Sequence, residues 1–185
     1  MKTKSPLFIL TICFIQTEIL FSQTWSAVGT GTNSTVTALT VYNGDLYAGG
    51  TFTTAGSNPA NYIAKWDGTN WSALGTDMNW NVSSLAVYNS NLYAGGWFAP
   101  TPADYIAKWN GSSWSALGLG MNNKVFALAV YNGELYAGGQ FSIAGGTSAQ
   151  NIAKWNGTTQ VWSAVGLGLG QIVYALAVYN GELYA

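Results

Sequence analysis

Histidine and arginine are absent from this chain, and cysteine occurs once, at Cys13. Without histidine no unperturbed side chain titrates near neutral pH, no imidazole can ligate zinc or copper, and no serine or cysteine nucleophile has its usual base. All six cations are lysines, with Lys65, Lys108, Lys124 and Lys154 scattered along the chain after the N-terminal Lys2 and Lys4; with a net charge of −1 this leaves no basic surface for nucleic acid. Charged residues make up only 7% of the chain, and no segment after Gln23 has the 3.6-residue apolar period of a helix. The chain is instead rich in glycine, 23 in all, and in aromatics, at 15%, as expected for short strands joined by tight turns.

The N-terminus reads as a leader. Lys2 and Lys4 precede the apolar run from Leu7 to Ile15, and the small Ser22 lies just before Gln23, in the order of a cleavable secretory signal over residues 1–22. Gln16, Thr17 and Glu18 interrupt the run before it reaches the ~20 apolar residues of a bilayer span. Ile12 before Cys13 is too bulky for a lipoprotein cleavage site. The expectation is a secreted or cell-surface chain that begins at Gln23, with no stable membrane insertion and no disulfide.

Beyond Gln23 the sequence repeats itself. WSA[VL]G begins at Trp25, Trp71, Trp114 and Trp162, with spacings of 46, 43 and 48 residues. The string LxVYN[GS][DNE]LYA begins at Leu39, Leu85, Leu128 and Leu176 with the same spacings. Gly-Gly-x-Phe starts at Gly49, Gly95 and Gly138, and Ile-Ala-Lys-Trp at Ile63, Ile106 and Ile152. Asn-Gly pairs at 43–44, 132–133 and 180–181 call for type I′ hairpins, whereas Ser90 replaces the glycine in the second unit and predicts a strained or differently formed turn. Strands follow from Val36, from Leu46, over Tyr62 to Trp66 and over Trp71 to Leu74, with equivalents in later units. Four strands in a period of ~45 residues match a propeller blade. The prediction is an all-β, β-propeller-like array: a leading strand at Trp25 to Val28, blades at about 36–75, 82–118 and 125–166, and a partial unit at 172–185. Such a ring is incomplete, which predicts either further blades in a longer parent chain or self-association through exposed edges.

The strings LYAGGTFTTAG at 46–56 and NYIAKWDGTNWSALG at 61–75 resemble the kelch-like repeats of the cortical-marker-for-cell-polarity family, which also build many exported bacterial proteins. The resemblance extends from Trp25 to Ala185. It implies an extracytoplasmic propeller and no single activity. Kelch-like propellers include galactose oxidase, whose copper site needs histidine and a cysteine-linked tyrosine, and no position here matches those residues.

The carboxylates after Gln23 offer no catalytic group. Asp45, Glu134 and Glu182 share one hairpin position, occupied by Asn91 in the second unit, and read as solvated turn residues. Asp67 aligns with Asn110 and Asn156 as a turn former. Only Asp77 and Asp104 are not required by the repeat, and neither has the neighbours of a calcium loop. The expectation is a non-enzymatic protein with no cofactor and no metal. In-register tryptophans (Trp66, Trp109, Trp155, with Trp25, Trp71, Trp114, Trp162) read as packing between blades. Trp80 and Trp97 fall out of register and are the candidate ligand-stacking residues, with Asn79, Asn81 and Asp104 as polar partners. The corresponding function is recognition or scaffolding outside the cell, with a protein or a glycan as partner; a lectin-like module and a purely structural spacer are its two variants.

Overall fold

A computed structural model describes residues 26–98 and 104–185, so the predicted signal segment with Ser22 and Gln23, and Trp25 after it, lie outside the described residues. Those residues hold strands only, and among them no helix is long and apolar enough to cross a membrane. The first unit comprises β1 (Val36–Tyr42), β2 (Asp45–Gly50), a two-residue hairpin β3 (Thr54–Ala55) and β4 (Asn58–Pro59), then β5 (Ile63–Trp66) and β6 (Trp71–Ala73). The second has β7 (Val82–Tyr88), β8 (Asn91–Gly96), β9 (Ile106–Trp109) and β10 (Trp114–Ala116). In the third, β11 (Val125–Tyr131), β12 (Glu134–Gly139), β13 (Ile143–Ala144), β14 (Thr147–Ser148), β15 (Ile152–Asn156) and β16 (Val161–Ala164) repeat the first, and β17 (Ala177–Tyr179) with β18 (Glu182–Tyr184) opens a last hairpin.

Each of the three units folds as a four-stranded antiparallel meander, in the orders β1-β2-β5-β6, β7-β8-β9-β10 and β11-β12-β15-β16. The sheets fan out from their first strands, since β1 lies against β7, β7 against β11, and β11 against β17, and they do not close into a ring. The tandem-blade architecture is therefore the one expected. Details differ: the third strand begins at Ile63 rather than Tyr62, because Tyr62 sits at φ 65° in the left-handed region, which ends strand geometry. Ser26 to Val28 form no strand, and the last unit is paired only over β17 and β18.

Two features hold neighbouring sheets together. The first is the glycine pair: a Cβ on Gly49, Gly95 or Gly138 would lie 2.5, 2.6 or 2.4 Å from a methyl of Val82, Val125 or Val173 in the next unit. The first strands of the second and third units, and the segment ahead of β17, thus press onto bare backbone of the unit before. The second is a tryptophan pair on the third and fourth strands. Trp66 and Trp71, Trp109 and Trp114, and Trp155 and Trp162 lie 5.3–5.5 Å apart at tilted angles. The indole N–H groups of Trp71, Trp114 and Trp162 donate to the carbonyls of Val28, Leu74 and Leu117, each one unit earlier. All but Trp66 are buried; Trp66 is half-buried, because it packs toward Gly29 where no preceding sheet covers it. The same gap leaves Leu39 and Val41 exposed, whereas Leu85 and Val87 at the equivalent positions pack into the core.

The turns follow their chemistry. Asn43 and Gly44, Asn132 and Gly133, and Asn180 and Gly181 all have positive φ, as a type I′ turn requires. Asp67, Asn110 and Asn156 each accept two backbone N–H bonds from the residues two and three ahead. The second-unit hairpin keeps the same geometry with Asn89 at φ 46° and Ser90 at φ 56°. Serine in that conformation is disfavoured by about 1 kcal/mol, partly offset because glycine loses more chain entropy on folding. Ser90→Gly should therefore raise stability by about 0.5 kcal/mol, read as a higher urea midpoint at unchanged slope; a lower midpoint would mean the turn is not strained.

Candidate functional site

Each of β1, β7 and β11 carries a bulge near its start, where the register shifts between Val36 and Ala38, Val82 and Ser84, and Val125 and Ala127. A bulge leaves one residue out of the ladder and re-aims its side chain. Those residues are Thr37, Ser83 and Phe126, and Tyr174 occupies the equivalent place in the last unit. Thr37 uses its hydroxyl to reach the next unit, donating to the Val82 carbonyl at 2.6 Å. The later units replace this polar link with rings: Phe126 stacks on Tyr174 with centroids 5.2 Å apart and planes 23° apart.

Trp97 joins that pair. It follows the second glycine pair, its backbone N–H donates to the Asn81 carbonyl at 2.9 Å, and its ring meets Phe126 edge-on at 6.3 Å. Lys124 reaches back from the third unit and sets its ammonium 3.7 Å from the Trp97 ring centroid. At an exposed site that contact is worth roughly 0.5–1 kcal/mol, enough to orient the ring. Trp97, Phe126 and Tyr174 thus form one aromatic row crossing three units at the end of the sheets where the first strands begin. Trp97 is 40% exposed and Tyr174 70%, so the row faces solvent.

The structure does not bring Trp80 into this row. Trp80 is 57% exposed and stacks on Tyr62 of the first unit at 6.5 Å, making a second, smaller aromatic pair. Of the polar candidates, Asn81 donates from its side-chain nitrogen to the Ser83 hydroxyl, while its side-chain oxygen is buried with no hydrogen bond. Asn79 is exposed beside Trp80. Asp104 is exposed, and its backbone carbonyl accepts from Met121. Phe126 and Tyr174 escaped the sequence reading; the available signal was the change from Thr37 and Ser83 to aromatic residues at one repeat position.

The carboxylates also depart from expectation. Asp45 and Glu134 are not merely solvated turn residues: they pair with Lys65 at 2.9 Å and Lys154 at 2.8 Å across the second and third strands of their sheets. Hydrogen bonding to those carboxylates lifts both lysines above the ordinary value. Asp77, which the repeat does not require, accepts the backbone N–H of Trp114 at 3.2 Å and so has a structural task. Among the described residues no three carboxylate or cysteine side chains gather as a metal-holding group.

No protein-family model matches the chain, and neither does any curated protein. Among solved structures the fold is similar to that of the computationally designed Ika4 protein, at 16% identity and a TM-score of 0.57, over 86% of this chain and 91% of that one. It is also similar to the computationally designed Ika8 protein, at 18% identity and a TM-score of 0.55, over 84% of this chain but only 43% of that one. At such identities the likeness is one of fold alone.

Proposed function

We propose that this chain is a non-enzymatic recognition module of an exported protein, built from kelch-like blades and binding a glycan through its aromatic row. The observation that carries the reading is the solvent-facing row of Trp97, Phe126 and Tyr174, with Lys124 steadying its first ring. An exposed aromatic face with a lysine beside it suits a pyranose ring, whose C–H face packs on one ring plane while its hydroxyls take nearby polar groups. Large aromatics left in water by a framework that does not need them contribute most when a partner covers them.

A structural spacer is the competing reading, favoured by the Phe126–Tyr174 stack, which also joins two neighbouring units. One experiment separates the two. Replacing Trp97 and Tyr174 together with Ala should weaken binding on a glycan array by roughly thirtyfold or more, with an unchanged far-UV spectrum and urea midpoint. Retained binding would remove the row from the site, and a lowered midpoint with retained binding would make it a packing element between units.

A further inference from the structure

A second site lies at the opposite end of the sheets, where two departures from the repeat converge. In the second unit, Asn91 stands where the first and third units carry Asp45 and Glu134. In the third unit, six residues separate the paired Trp155 and Trp162, against four between Trp66 and Trp71 and between Trp109 and Trp114, and the longer hairpin places Gln160, at φ 56°, against the second unit. Between them is a cavity of about 350 Å³ lined by Asn89, Asn91, Tyr93, Lys108, Trp155 and Gln160. That volume falls at the lower end of the range for small-molecule sites, the size suited to a single sugar ring.

Lys108 is the residue left over. Lys65 and Lys154 at the same repeat position each hold a carboxylate of their own sheet at 2.8–2.9 Å, whereas Lys108 has no ion pair among the described residues. The amide of Asn91 is instead turned to its own hairpin, donating to the Asn89 carbonyl at 2.6 Å. The third-unit turn closes against the same hairpin, with the Gly157 N–H donating to the Tyr88 hydroxyl. Tyr93 on the cavity wall is only 3% exposed. Burial pushes its phenol up to about 12.

We infer that this cavity binds an acidic monosaccharide, whose carboxylate takes the place beside Lys108 that a protein carboxylate fills in the first and third units. Asn89 and Gln160 offer amides to its hydroxyls, and Tyr93 offers an O–H. The inference does not rest on the aromatic row, which lies at the other end of the strands, and either site can fail without the other.

The test is calorimetric titration of the full chain with glucuronate, glucose, acetate and inorganic phosphate. Glucuronate should bind most tightly, glucose and acetate more weakly, and phosphate no better than acetate. Asn91→Asp restores the repeat's own ion pair and so should weaken glucuronate by roughly tenfold or more while the urea midpoint holds or rises. Lys108→Met should do the same without adding a charge. Glucuronate affinity unchanged in both variants, or phosphate binding ahead of glucuronate, would overturn the assignment.

Discussion

Gly96→Ala should cost about 3 kcal/mol and lower the melting temperature by roughly 10 °C. A Cβ at that position would lie 2.2 Å from the Asn81 carbonyl oxygen and 3.0 Å from the Phe98 ring. Backbone is the obstacle, and the same carbonyl accepts the Trp97 N–H, so the strands must part and lose that bond. Gly95→Ala meets a different neighbour, the Val125 side chain at 2.6 Å and the Ser84 hydroxyl at 2.8 Å. Trimming Val125 to Ala should therefore relieve Gly95→Ala, with a coupling of about 1–2 kcal/mol in a double-mutant cycle, and should leave Gly96→Ala unrelieved. Denaturation of the four variants decides the point. Equal coupling at both glycines would show that the two close approaches are not separable, and a mild Gly96→Ala would show that the end of β8 sits farther from the Asn81 carbonyl of its own sheet.

Trp114→Ala should cost about 4 kcal/mol, within the range for truncating a buried large aromatic. The indole is 3% exposed, packs on Trp109 at 5.3 Å, and donates to the Leu74 carbonyl at 2.9 Å in a buried setting. Its loss opens a cavity between the first and second units and leaves that carbonyl unpaired, a penalty of about 1–3 kcal/mol by itself. Trp114→Phe fills most of the cavity and should lose roughly half as much, mostly through the missing hydrogen bond. Trp71→Ala should cost less than Trp114→Ala, because its N–H reaches the Val28 carbonyl in a part-buried setting, where water can replace it. Against a total stability of about 5–15 kcal/mol, near-UV circular dichroism during urea unfolding will rank the three. An equal loss at Trp71 and Trp114 would mean that the tryptophans act within their own sheets and not between them.

Most of the fold was legible because each strand carries its own instruction. Asn-Gly pairs set the hairpins, Asp67, Asn110 and Asn156 set the second turns, and apolar runs of fixed spacing set the strands, all through forces acting over a few residues. The glycine pairs mark close approaches of backbone, because a missing side chain in mid-strand leaves room for a neighbouring chain. The candidate site was legible only in part. Trp97 declared itself by leaving the register, yet Phe126 and Tyr174 did not, since aromatics are common in strands and nothing local marks a bulge.

By itself, then, the order of residues determined the period, the four-stranded unit, the turn types and the lack of histidine-based chemistry. Only the tertiary structure decided which departures from the repeat meet. Trp97 and Phe126 are 29 positions apart and belong to different units, as do Asn91 and Gln160, 69 apart. They become neighbours because each first strand packs on the glycines of the preceding unit and fixes one sheet's ends against the next. The same packing separated Trp80, which stacks on Tyr62, from Trp97, which meets Phe126. Such pairings depend on how far apart two sheets sit and how they are turned, quantities set by the sum of many contacts, which no single stretch of sequence encodes.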